Sequence, residues 1–160
     1  MLFRSGATAS IAENSSTSTV VYTAIATDQD AGTVLAYSLT GTDAAAFAIN
    51  AGTGAVTFKA SPDFEAKSSY SFNVVATDNA ATPLSASKAV TVTVTNVNEA
   101  PAFTSGVSGS VAENSSTSTV VYTAVAVDPD AGNSVTYSVS GTDGASFNIN
   151  ATTGAVTFKS

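Results

Sequence analysis

Apolar and polar residues alternate with a period of two along much of the chain. The cleanest run is Tyr70, Phe72, Val74 and Ala76 against Ser71, Asn73, Val75 and Thr77, followed by Val90, Val92 and Val94 against Thr91, Thr93 and Thr95. Such alternation predicts strands with one face on a core and the other in water. Threonine suits the wet face because its branched Cβ favours extended backbone. The same pattern predicts strands over 7–13, 18–27 and 33–39, the last with Leu35, Tyr37 and Leu39 alternating. In 18–27, Val20, Tyr22, Ala24 and Ala26 oppose Val21 and Ile25, so the inward side stays open. Phe47-Ala48-Ile49 and Ala55–Phe58 flank Gly52-Thr53-Gly54, a hairpin signal. Asp28-Gln29-Asp30-Ala31-Gly32, Gly41-Thr42-Asp43 and 61–65 break the pattern as loops, with Asp43 and Asp143 read as turn formers. Seven strands with turns between them define an all-β chain whose unit is a seven-strand Greek-key β-sandwich.

The pattern repeats. Residues 11–60 match 111–160 at 35 of 50 positions, with an offset of 100 and no gap. A period near 100 is the size of a self-contained sandwich. The chain therefore reads as a complete repeat, 1–100, followed by a truncated second copy, 101–160, and as an excerpt of a longer array. The second copy carries counterparts of the first five strands and lacks the last two, which predicts open apolar faces and sheet edges. A permuted packing, in which the second copy captures the one set of strands six and seven, needs residues 96–107 to span roughly 36–40 Å. Native order is expected.

Composition narrows the chemistry. The net charge of −7 argues against nucleic acid and anionic membrane as partners. The absence of cysteine and histidine removes disulfides, thiolate metal sites and the commonest general base. Met1–Gly6 is not followed by the apolar stretch of an export signal. No run approaches the ~20 apolar residues of a membrane span, so no membrane insertion is expected.

The twelve acids fall at strand ends and loops, not on wet strand faces. Asp28, Asp30 and Asp78 follow strands two and six and share one pole of the sandwich, where they make a partial metal site. Glu13, Asp63, Glu65 and the 96–99 segment belong to the other. Stacked repeats bring Glu13, Asp63, Glu65 and Glu99 toward Asp128 and Asp130, and so many carboxylates repel unless a cation neutralises them. Calcium takes six to eight hard oxygen ligands in flexible geometry, amides such as Asn98 included, whereas magnesium demands a tighter octahedron. Taken singly, an Asp-x-Asp loop is more often merely solvated.

These motifs resemble those of the cadherin repeat, in the form seen in large bacterial surface proteins. Ala12-Glu13-Asn14 resembles the family's x-E-N, and Asp28-Gln29-Asp30 and Asp128-Pro129-Asp130 its D-x-D. Asp63-Phe64-Glu65 is similar to D-x-E, Val75-Ala76-Thr77-Asp78 to A-x-D, and Asn96–Pro101 to the D-V-N-E-A-P linker. The resemblance implies a cadherin-like, Ig-like sandwich with Ca2+ at the repeat junction. Its ligands would be Glu13, Asp63, Glu65, Asn98 and Glu99, with Asp128 and Asp130 from the next repeat. Asn96 stands where the family usually has Asp, which removes a charge from the metal-binding linker.

The function expected is a calcium-stiffened stalk or adhesion module, extracellular or at the cell surface. Its partners would be neighbouring repeats and a homophilic, protein or polysaccharide target. The alternative is a carbohydrate-binding sandwich using Tyr22, Tyr37 or Tyr70, although their strand positions favour core packing. Paired carboxylates such as Asp63 and Glu65 lack positioned groups beside them, so an enzyme is not expected. Asn14, Asn114 and Asn150 open glycosylation sequons, which are incidental in a bacterial setting.

Overall fold

The computed structural model describes residues 1–30 and 32–160. Ala31, part of the expected Asp28–Gly32 loop, lies outside the described residues. The chain divides into two compact units, Met1–Val97 and Asn98–Ser160. Among the described residues no helix is long and apolar enough to cross a membrane.

The first unit is a Greek-key sandwich. Its strands are β1 (Leu2–Phe3), β2 (Thr8–Ala12), β3 (Val20–Thr23), β4 (Ala26–Thr27), β5 (Ala36–Thr40), β6 (Phe47–Ile49), β7 (Ala55–Phe58), β8 (Ser69–Thr77) and β9 (Ser85–Thr95). One sheet has the order β2-β9-β8-β5 and the other β3-β7-β6, while β1 pairs with β4. The long pair β8–β9 is antiparallel, with Phe72 opposite Val90 and Tyr70 opposite Val92. β2 joins the open side of β9 in parallel register, Thr8 beside Thr91 and Ala12 beside Thr95.

The alternation seen in the sequence is the core. Phe72, Val74 and Ala76 from β8 and Val90, Val92 and Val94 from β9 are buried against Tyr22, Ala24, Phe47, Val56 and Phe58 of the facing sheet. Full burial of each such valine contributes about 1.5–3 kcal/mol. The rings interlock: Phe47 lies 4.3 Å from Phe58 and 4.7 Å from Phe72, centroid to centroid. Tyr22 meets Phe72 edge-on at 6.3 Å.

The structure closes the question left by residues 18–27. Tyr22 and Ala24 point inward, while Val20 and Ile25 are about half exposed. The single expected strand breaks into β3 and β4, with a bulge between Val20 and Tyr22. The break lies where the Ala24 N–H donates to the Gly54 carbonyl. Gly54 has φ +71, and a Cβ there would sit 2.4 Å from the Ala24 carbonyl oxygen, so only glycine fits the approach. β5 begins at Ala36, not at 33, because the Val34 N–H is taken by the Asn79 side chain and Thr33 closes a turn on Asp30. β1 was not expected; it is two residues long and carries no readable period.

The core packing favoured for the three tyrosines is observed, and one further reading changes. The Tyr22 hydroxyl lies 2.7 Å from the Gly6 carbonyl oxygen, and the Tyr37 hydroxyl accepts the Ala26 N–H. Tyr70 packs edge-on against Phe47 and Phe58. The three tyrosines thus belong to the packing. Asp43 is more than a turn former, since its carboxylate receives the Lys67 ammonium and the Ser71 N–H and ties a loop to β8.

The second unit repeats part of this plan: β10 (Ala102–Phe103), β11 (Tyr122–Thr123), β12 (Ala126–Val127), β13 (Phe147–Ile149) and β14 (Ala155–Phe158). β11-β14-β13 form one sheet and β10 pairs with β12. Counterparts of the first five strands were expected, but residues 108–112 and 136–140, the equivalents of β2 and β5, are not strands. In the first unit those two strands hydrogen-bond to β9 and β8. The second unit contains neither, so their backbone has no ladder to join.

Candidate metal centre

The acids group at the ends of the sheets, and local backbone chemistry explains how each is held. Glu13 follows β2 and is only 3% exposed. One of its oxygens accepts the Phe64 N–H at 2.9 Å and the other the Val97 N–H at 2.7 Å. A buried carboxylate needs such donors, and bonds of this kind to a charged group are strong. Asn14 explains the next position of the motif: it adopts φ 58, a left-handed turn that asparagine tolerates better than most residues.

Glu65 is exposed, and the Asn96 amide donates to it at 3.1 Å. Carboxylate oxygens of Glu13 and Glu65 lie within 4.8 Å of each other, close enough for one cation to bind both. Asp63 is used differently, its carboxylate accepting the Ala66 N–H at 2.8 Å to close the turn.

In the second unit, Asp130 is 7% exposed and accepts the Glu99 N–H at 2.7 Å. Asp128 accepts the Asp130 N–H at 3.0 Å, the side-chain turn that gives Asp-x-Asp its spacing. Asn133 donates to Asp128 at 3.2 Å and lies 3.5 Å from the Asn98 side-chain oxygen. Asn133 and the backbone donors of Phe64, Val97 and Glu99 escaped sequence reasoning. Main-chain groups leave no mark in a sequence, and Asn133 replaces Thr33 without a recognisable motif.

At the opposite pole of the first unit, Asp28 accepts the Asp30 N–H at 2.9 Å, and this bond holds its carboxyl below the usual range. The Met1 ammonium, 3.7 Å away, acts in the same direction. Asp78 accepts the N–H groups of Ala80 and Leu84. Among the described residues Asp28, Asp30 and Asp78 do not come within bridging distance of one another as a trio.

The donor set of both units is hard oxygen with no nitrogen or sulfur ligand, which fits calcium and not zinc or copper. Each Glu13 oxygen uses one lone pair on a backbone N–H and keeps another for a cation.

Residues 7–95 match the family described as Cadherin domain. The chain belongs to the cadherin family. Mouse Cadherin EGF LAG seven-pass G-type receptor 3 is 38% identical over 121 residues, 74% of this chain and 4% of that protein. Mouse Protocadherin Fat 4 is 36% identical over 154 residues, 92% of this chain and 3% of that one. The chain thus spans a few per cent of the length of the curated relatives it matches. The crystal structure of mouse cadherin-23 EC22-24 superposes with a TM-score of 0.65 at 32% identity, covering 99% of this chain and 53% of that one. Human protocadherin-24 EC1-2 gives 0.73 at 23% identity, over 99% of this chain and 77% of its own, a likeness of fold.

Proposed function

We propose that this chain is a piece of an extracellular or cell-surface rod of cadherin repeats, 1–100 and 101–160, whose junction is stiffened by Ca2+. The observation that carries this reading is Glu13, a buried carboxylate anchored by two backbone N–H groups beside Glu65. Glu13, Asp63, Glu65, Asn96, Asn98, Glu99, Asp128 and Asp130 would supply the oxygens. Bound calcium would neutralise their mutual repulsion. The backbone donors of Phe64, Val97 and Glu99 hold the carboxylates in place.

The role is adhesion or spacing, with neighbouring repeats as first partners and a homophilic, protein or polysaccharide target beyond them. Family membership supports this over catalysis. The bacterial setting rests on the Asn96–Pro101 linker alone, and the relatives compared above are animal proteins. The carbohydrate reading is weakened by the three tyrosines, whose rings are engaged in packing.

Calorimetric titration of the chain with Ca2+ tests the proposal. Saturable binding is expected, weakened at least tenfold by Glu65→Gln, together with a higher melting temperature. A ligand at a hundredfold excess over Kd stabilises by about 2.7 kcal/mol. No heat of binding and identical melting in Ca2+ and in EDTA would sink the idea.

A further inference from the structure

The last strand of the first unit, β9, is paired on both sides for only part of its length. β8 runs along all of it, but β2 covers only Thr91–Thr95, and the chain ahead of β2 departs to pair as β1 with β4. The Thr91 N–H points toward the β2 side, donating to the Ala7 carbonyl at 2.9 Å. Alternation along the strand turns the N–H groups of Ser87 and Ala89 to that same side. Among the described residues no backbone meets them there. A bare edge of this kind is a template for another strand. The stretch Ala89–Val94 adds to the hazard, being uncharged, free of proline and rich in β-branched residues.

One residue interrupts the template. Lys88 is the only charged residue between Asp78 and Glu99. It falls in phase with Ala86, Val90, Val92 and Val94, on the core side of the strand, opposite the fully buried Val74. Such a position calls for an apolar side chain. Lys88 is half-buried, and among the described residues its ammonium has neither a hydrogen bond nor an ion pair. Lys67, by contrast, pairs with Asp43, and Lys59 donates to the Ala45 carbonyl. The Lys88 stem can lie along the margin of the core only while its head reaches water past the open edge. A further strand on that edge would close the path and bury the charge.

We infer that Lys88 guards this edge, its charge keeping β9 from pairing with the β9 of a second copy. Two copies meeting antiparallel, Ser87 beside Ser87, would set each Lys88 opposite an Ala86. The two lysines would then share one face as diagonal neighbours, about 7–8 Å apart. Both ammonium groups would lose water and repel each other. What the position requires is a charge of either sign, not a particular shape.

Sedimentation velocity of the whole chain in EDTA tests this, independently of the calcium reading. Lys88→Val should self-associate at least about tenfold more tightly than the parent, with slowed hydrogen exchange at Ser87 and Ala89 and a urea midpoint no lower. Lys88→Thr should behave alike. Lys88→Glu, which keeps a charge, should associate no more than the parent. Adding Ser87→Pro to Lys88→Val removes an outward N–H, leaves the β8 ladder intact and should restore the parent's behaviour. Equal association of parent and Lys88→Val, the same association in Lys88→Glu, protection elsewhere in the chain, or dimers that survive the added proline overturns the inference. Failure of Lys88→Val and Lys88→Thr to fold, or a lower midpoint for both, assigns the lysine to packing and overturns it as well.

Discussion

The Glu13 carboxylate accepts the Val97 backbone N–H at 2.7 Å, across 84 positions of sequence. It ties the end of the second strand to the segment leaving the last. Glu13→Gln keeps one acceptor oxygen but turns an N–H donor against a backbone N–H. In EDTA a loss of about 1.5–3 kcal/mol is expected from urea unfolding followed by circular dichroism. Glu113, which repeats the motif but is exposed, should lose under about 0.5 kcal/mol as Glu113→Gln. Equal losses would mean that the buried carboxylate has no special part.

Asn96 sits where an acid would add charge, and its amide donates to Glu65. Asn96→Asp replaces that bond with repulsion between two carboxylates. The variant should therefore melt lower than the parent in EDTA and bind Ca2+ about tenfold more tightly, near 1.4 kcal/mol. Calorimetry paired with thermal melts checks both signs, and the same sign in both conditions would contradict the cation reading.

Asp43 supplies a pH dependence. The Lys67 ammonium and then the Ser71 N–H hold its carboxyl below its ordinary 3.8. A depressed folded pKa means that the folded state binds protons less readily than the unfolded one. The stabilisation is present above pH 3.8 and fades as pH falls through the lower folded value. Asp43→Asn should be less stable than the parent at neutral pH, with the gap narrowing below that point. A gap that stays constant to pH 2 would refute the linkage.

Gly54→Ala forces a Cβ against the Ala24 carbonyl at a left-handed φ. A loss of about 2–4 kcal/mol is expected, from the upper part of the common range for a point substitution to just beyond it. For a domain of this size that lowers the melting temperature by about 4–8 °C per kcal/mol. A loss below 1 kcal/mol would mean that the strand break relaxes freely.

Much of the sandwich was legible because one face meets oil and the other water. The inward sets of β8 and β9 follow directly from their period of two. Residues 18–27 were ambiguous because apolar side chains stand on both faces, and only the facing sheet selects Tyr22 and Ala24. β1 is too short to carry a period. The irregular state of 108–112 is illegible from its own letters, which nearly repeat those of β2; strand formation there depends on a partner far along the chain. At the candidate metal centre the sequence motifs mark out the carboxylates, whereas the groups that orient Glu13 and Asp130 are main-chain N–H donors, which leave no mark in a sequence.

The parallel pairing of β2 with β9 has a consequence for load. The first unit's chain enters the Greek-key sheets at Thr8 and leaves them at Thr95, at opposite ends of two adjacent strands running the same way. Tension applied through the ends slides β2 lengthwise along β9. Every hydrogen bond between them, including those that reach Ala7 and Glu13 at the margins, is strained at once and not one after another. Such a zipper cannot be peeled from one end, so the unit resists stretching along the direction in which a string of repeats would be pulled.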